Sequence, residues 1–390
     1  MTAKREHLRI GFIPLADAAS LFVAVDKGFV AQEGLDVELV QEVSWSNVRD
    51  KLNIGMFDAA HLLAPIAVAS SLGVGHVKTP IVAPYNLAMN GNAITVSPSL
   101  REAMMARLDG DALDPLATAR ALARVVADRK AAHAEPLTFG MTFPFSGHNY
   151  QLRYWMAAGG VDPDEDVRLV VLPPPYMVGS LAQGHVDGFC VGAPWNSVAV
   201  DLGVGHILHF SVELISRCAE KSLAMRESFA QDRPDVVAAL LRALHQAARF
   251  IGEAEPAEIA AMLARPGRVG VDAEVILRTL QGRLKVSPDG ATRENRRYLL
   301  LGEEGAERPD PTQAAWLYAQ MARWGQAPAS PALLDAAERV FRADIFDAAL
   351  PSATAPAPRS GDAIGAFSGP CFDDRDLGAY LSGFPIRRTP

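Results

Sequence analysis

LRIGFIPLADAASLFVAVDKGFVAQEGLDVELV at residues 8–40, followed by SWSNVRDKLNIGMFDAAHLLAP at 44–65, decides the fold. Residues 8–13 are an apolar run of strand length. Residues 18–27 follow as a short apolar helix that Gly28 stops. Residues 36–41 alternate apolar and polar, which predicts a second strand. Ser46 is positioned to cap a helix over 47–54, which Gly55 ends. Residues 58–63 complete a third strand. A β-α-β-α-β order of this kind implies parallel pairing with right-handed crossovers.

The same order returns further along. Residues 117–133 predict a helix and 136–142 a strand. Residues 149–158 form a helical stretch stopped at Gly159-Gly160. Residues 167–172 are strand-like until Pro173-Pro174-Pro175 intervenes. Residues 176–183 read as helix and 185–191 as strand. From Pro234 the pattern turns helical, over 236–251, 256–263 and 312–324. Residues 351–361 are rich in Pro, Ala and Ser, a surface segment or linker, and a C-terminal tail follows. The predicted fold class is therefore α/β. Residues 1–135 form the first part of lobe 1 and 136–230 form lobe 2. Residues 231–390 form a mostly helical return to lobe 1.

Composition narrows the function. With 390 residues the chain exceeds one ordinary domain, and 49% apolar with 21% charged residues is globular usage. A net charge of −8 without a Lys/Arg block argues against direct nucleic-acid binding. Three dispersed cysteines (Cys190, Cys218, Cys371) suggest neither a disulfide framework nor a zinc knuckle. No 18-residue apolar run is present, so no membrane span is expected. The first strand begins seven residues after the start, with no apolar leader before it. That reading predicts a cytoplasmic location.

P-loop, dinucleotide, nucleophile-elbow and H-E-x-x-H motifs are all missing. His206 and His209 are three apart in a strand-like run and would face opposite sides, which is poor metal geometry. No enzyme, cofactor or metal site is predicted. What remains is a set of donors at element ends, where α/β sheets place their ligands. Trp45 precedes the first-lobe helix, and its indole can only donate. Asn92 lies in the turn Asn90-Gly91-Asn92. His148 opens a helix, where the N-terminus favours anions. Gly192 ends a strand and offers a backbone N–H. Lys221 supplies an ammonium. Each also has an ordinary structural reading: a core tryptophan, a turn asparagine, a cap-region histidine, a tight-turn glycine, a solvated lysine. Taken together they describe an all-donor pocket with one formal positive charge, suited to a small monovalent anion.

With these residues in view, the chain resembles the nitrate- and bicarbonate-binding proteins of ABC transporters, the NrtA/CmpA family. The matching stretches are the two quoted above, NGNAITVS at 90–97, RYWMAAGGVDPDEDV at 153–167 and PPPYMVGSLAQGHVDGFCVGAPWN at 173–196. The resemblance implies a periplasmic binding protein-like type II fold, with a ligand cleft between two α/β lobes. It implies nitrate or nitrite held by Trp45, Asn92, His148, Gly192 and Lys221. In that reading Trp45 and Asn92 come from one lobe and His148 and Gly192 from the other. Asn92 replaces the family's usual glutamine, and Ala193 stands where the transport proteins often carry glutamate. Within the family the chain is similar to the NasS-type cytoplasmic nitrate/nitrite sensors. That similarity implies a protein partner, an ANTAR-domain RNA-binding antiterminator of the NasT type, held without ligand and released with it. The alternative is the substrate-binding protein of a nitrate/nitrite or bicarbonate ABC transporter.

Overall fold

The computed structural model describes residues 5–353 and 364–388. Most of the Pro-rich stretch at 351–361 lies outside the described residues.

Strands β1 (Glu6–Phe12), β2 (Leu35–Gln41) and β3 (Ala59–Leu63) form as the opening stretch predicts, with β1 parallel to both neighbours. The helix Trp45–Asn53 begins two residues earlier than predicted, because Ser44 rather than Ser46 accepts the capping bond, from Asn47 N at 3.3 Å. Next come β4 (Ile81–Asn90), β5 (Asn92–Val96), β6 (Thr138–Met141), β7 (Arg168–Val171), β8 (Gly188–Gly192), β9 (His206–Phe210) and β10 (Ala219–Arg226). A short hairpin, β11 (Arg283–Lys285) with β12 (Thr292–Glu294), and a two-residue strand, β13 (Leu299–Leu300), follow. One sheet runs β13-β4-β10-β3-β1-β2 and the other β7-β6-β8-β5-β9.

This topology corrects the lobe boundaries at 135/136 and 230/231. The chain leaves the first sheet at Gly91, since β5 pairs with β8 and β9 in the second. It returns before β10, which inserts antiparallel between β3 and β4. Asn92 thus belongs to the second sheet, not the first. Both connections are tied together at Asn90. Its backbone N–H donates to Cys218 O at 2.9 Å, and its Oδ1 accepts from Cys218 N at 3.0 Å. Asn90 and Gly91 both have positive φ, 62° and 87°, so the turn needs residues tolerant of the left-handed region.

Beyond the sheets the chain is helical. In the helix Pro234–Glu253, Val237, Leu240, Leu241 and Leu244 are buried at helical spacing and face the helix Ala19–Asp26 in one core. Residues 364–388 pack across both lobes. Tyr380 Oη accepts from Trp316 Nε1 (3.1 Å) and Gln320 Nε2 (3.0 Å) on the helix Pro311–Arg323. Arg388 pairs with Asp162 and Asp164 of the second lobe. Among the described residues, no helix is long and apolar enough to cross a membrane.

Candidate anion-binding site

Two helix N-termini approach one buried cluster where the lobes meet. Trp45 is the first residue of Trp45–Asn53. His148 is the second residue of Gly147–Ala158, whose Ser146 cap accepts from Asn149 N at 3.0 Å. The helix dipoles make both ends favourable for negative charge. Trp45 is 1% exposed, and Asn92, His148 and Lys221 are 0% exposed. The lobes are shut over them. Arg49 of the first lobe stacks on Phe143 of the second, 5.4 Å from its ring centroid.

The five predicted residues come together. Lys221 Nζ lies 5.6 Å from the Trp45 ring centroid. Asn92 and Gly192 pair directly across β5 and β8. A Cβ on Gly192 would stand 3.3 Å from Asp17 Oδ2 and 3.5 Å from Asn92 Oδ1, so a side chain there would crowd the interior. Asn92 donates to Gln151 Oε1 at 3.0 Å. His148 Nδ1 lies 2.9 Å from Thr142 Oγ1 and 3.4 Å from Glu220 Oε1.

The charge balance differs from the all-donor expectation. Lys221 Nζ is 2.9 Å from Asp17 Oδ2 and 3.1 Å from Glu220 Oε1. Asp17 is also held by His61, at 2.8 Å from Nε2. One buried ammonium therefore faces two buried carboxyl groups. Asp17 resists burial through Lys221 and His61, which hold its pKa at about 2. Burial works against ionisation of Glu220 and raises it, with Lys221 opposing. Lys221 is raised although burial opposes its charge, because Asp17 and Glu220 favour it. Burial keeps His148 well below the ordinary histidine range, with Lys221 adding to the effect, and so it is neutral.

Sequence reasoning missed Asp17, His61, Gln151 and Glu220. Asp17 lies in Pro14-Leu15-Ala16-Asp17, just beyond the carboxyl end of β1, a position that α/β topology marks for ligands. Glu220 was hidden by strand alternation, which sends neighbours to opposite faces. Here the register of β10 against β4 slips at Ala219/Lys221 and again at Lys221/Ser222. Such irregularity re-aims side chains and lets consecutive Glu220 and Lys221 meet.

Several buried polar atoms in this cluster have no hydrogen-bond partner among the described residues: Trp45 Nε1, His148 Nε2, Gln151 Nε2, Asn92 Oδ1 and Glu220 Oε2. Buried polar groups are normally paired, and each orphan costs about 1–3 kcal/mol. Indole, imidazole and carboxamide nitrogens without partners, beside an ammonium, make a receptor for a small acceptor-rich molecule. A small anion would satisfy several of them at once.

Residues 1–265 match the NMT1-like family. The chain is 34% identical to the nitrate import ATP-binding protein NrtC of Synechocystis, over 98% of this chain and 56% of NrtC. It is 31% identical to the nitrate/nitrite binding protein NrtA of Nostoc, over 98% of this chain and 86% of NrtA. It is 33% identical to the bicarbonate transport ATP-binding protein CmpC of Synechococcus elongatus, over 99% of this chain and 56% of CmpC. The chain thus spans only about half the length of NrtC and CmpC. The crystal structure of the periplasmic nitrate-binding protein NrtA from Synechocystis superposes with a TM-score of 0.87 at 28% identity, covering 98% of this chain and 99% of that one. The fold is that of the periplasmic binding proteins, two α/β lobes.

Proposed function

This chain belongs to the NMT1-like family, and we propose that it is a receptor for nitrate or nitrite, bound between its lobes by Trp45, Asn92, His148, Gly192 and Lys221. The observation that carries this reading is the group of unpartnered buried donors around Lys221. Lys221 and Trp45 belong to the first lobe, and His148, Gln151, Asn92 and Gly192 to the second. An anion shared between them favours closure, because neither lobe alone supplies the full donor set. A dianion such as sulfate would bring two negative charges to a site that already holds Asp17 and Glu220. One charge is the better match. The relatives NrtC and NrtA, named for nitrate, support this choice.

Four heavy atoms at a ceiling of roughly 1.5 kcal/mol each give about 6 kcal/mol, or tens of micromolar. Isothermal calorimetry against nitrate, nitrite, bicarbonate and chloride tests the assignment. Micromolar binding of nitrate or nitrite supports it. Millimolar or absent binding of both contradicts it, and micromolar bicarbonate alone moves the ligand to the carbonate class.

For the biological role we propose a cytoplasmic sensor that holds an ANTAR-domain antiterminator of the NasT type and releases it on ligand binding. Its support is the resemblance to NasS-type sensors and Ala193 in place of the transporters' common glutamate. The names of the relatives favour a second reading at least as strongly: the substrate-binding part of a nitrate/nitrite or bicarbonate transporter. Linkage separates the two. A sensor must lose affinity for its partner by the factor by which the partner weakens nitrate. Co-purification with such an antiterminator, dispersed by nitrate and not by chloride, supports the sensor. A complex indifferent to nitrate, or none, leaves the transport reading.

A further inference from the structure

Resting on the anion-site reading, we propose that the site takes up its anion together with one proton, accepted from solvent by the Glu220–His148 pair. The geometry argues for this directly. Lys221 Nζ already has a carboxylate of Asp17 at 2.9 Å and Glu220 Oε1 at 3.1 Å. All three side chains are nearly or fully buried. Nitrate beside Lys221 would place a third acceptor charge around one ammonium, in a region from which water is excluded. Protonating one carboxyl group restores the balance.

Glu220 is the carboxyl group placed to accept it. Asp17 has Lys221 and His61 to hold it ionised. Glu220 has Lys221 as its one cation and the neutral His148 ring 3.4 Å away, with the Asn92 amide favouring its charge and the Asp17 carboxylate opposing it. Its second oxygen, Oε2, has no partner among the described residues and lies against Gly147, where an added Cβ would stand 2.0 Å from it. The groups facing Glu220 are known from each neighbouring element. They are Lys221 on β10, Cys218 just before it, Asn92 on β5, Cys190 on β8, His148 on the second-lobe helix, and Asp17 beyond β1. Burial pushes both thiols up, so neither contributes charge. Burial likewise favours the neutral Glu220 carboxyl.

His148 Nε2 faces the interior without a partner, and an anion requires a proton on that nitrogen. When Nδ1 carries the ring hydrogen and directs it toward Glu220, Nε2 presents a lone pair instead. Moving the ring hydrogen to Nε2 sets the Nδ1 lone pair against an ionised Glu220, 3.4 Å away; the proton taken from solvent goes to the Glu220 carboxyl, whose O–H then faces Nδ1 while Nε2–H faces the anion.

Calorimetric titration with sodium nitrate tests this, because nitrate itself takes no proton in the working range. Between the Glu220 pKa of the empty site and its higher pKa with nitrate bound, affinity should fall about tenfold per pH unit. In buffers of differing ionisation enthalpy, the wild-type chain should take up about one proton per nitrate in that range. Glu220→Gln should lose both the slope and the proton uptake. Nitrate binding with flat affinity from about pH 5 to about pH 9 overturns the coupling and leaves the anion site standing. A slope that persists unchanged in Glu220→Gln overturns the assignment of the proton to Glu220. Absence of nitrate binding at every pH removes the anion site and the coupling together. The buffer measurement uses the wild-type chain, so it decides the matter even where Glu220→Gln does not fold.

Discussion

Lys221 balances two carboxyl groups that water cannot reach, so its truncation acts on the fold as well as on the ligand. Breaking a buried ion pair by removing one partner costs about 3–5 kcal/mol. Lys221→Ala should show that loss in urea unfolding, along with loss of nitrate binding. A variant within about 1 kcal/mol of wild type would mean that Lys221 is not ion-paired inside. Asp17 carries a pH signature. Its folded pKa of about 2 lies below the ordinary 3.8. The associated stabilisation, about 2 kcal/mol, is complete above about pH 4 and is lost as the pH falls toward 2. Urea midpoints measured down that range should fall in the wild type, with that share of the loss missing in Asp17→Asn. Equal losses in both would remove Asp17 from the charged cluster. At this scale the sequence revealed donors better than charges. A tryptophan or histidine at a helix start marks a place for a ligand. The pairing of Asp17 with Lys221 joins residues about two hundred positions apart, and no local pattern shows it.

The helix Gly147–Ala158 begins with glycine because of what stands against it. A Cβ at 147 would lie 2.0 Å from Glu220 Oε2. Gly147→Ala should therefore destabilise by about 1–3 kcal/mol through overpacking and weaken nitrate binding by displacing Glu220. Gly179, inside the helix Met177–Ala182, meets nothing within 4 Å. Gly179→Ala should be neutral or stabilising by up to about 1 kcal/mol. Thermal melts of both variants measure the contrast, and equal effects would contradict the close approach at Gly147. The elements themselves were legible where periodicity and stop residues agree, as in the first three strands and the helix ended by Gly159-Gly160. β10 was not, because it is buried on both faces and carries Glu220, Lys221 and Ser222 inside, so its sequence lacks the apolar–polar alternation by which strands are recognised. Without β10, the return to the first sheet could not be placed. Without β5 in the second sheet, Asn92 was assigned to the wrong lobe.

Across the whole molecule, the proposed function makes closure and ligand occupancy one equilibrium. The lobes touch at Arg49 and Phe143, and at Ala16 N, which donates to Ala193 O at 3.0 Å. An anion that binds only the folded, closed arrangement stabilises it by about 2.7 kcal/mol at a hundred times its Kd. For a chain of 390 residues this corresponds to a rise in Tm of about 3 °C. Nitrate should produce that shift and chloride at the same concentration should not; equal shifts would point to a general salt effect. The two-lobed plan was legible from the repeated β-α-β-α-β order. The hand-over points between lobes were not, since they depend on which strands pair across the chain. The most direct test of the central claim is a crystal structure grown with nitrate. One nitrate should lie between the lobes, within hydrogen-bonding distance of Trp45 Nε1, His148 Nε2 and Lys221 Nζ. Well-ordered water alone at that position, with nitrate present at saturating concentration, would contradict it.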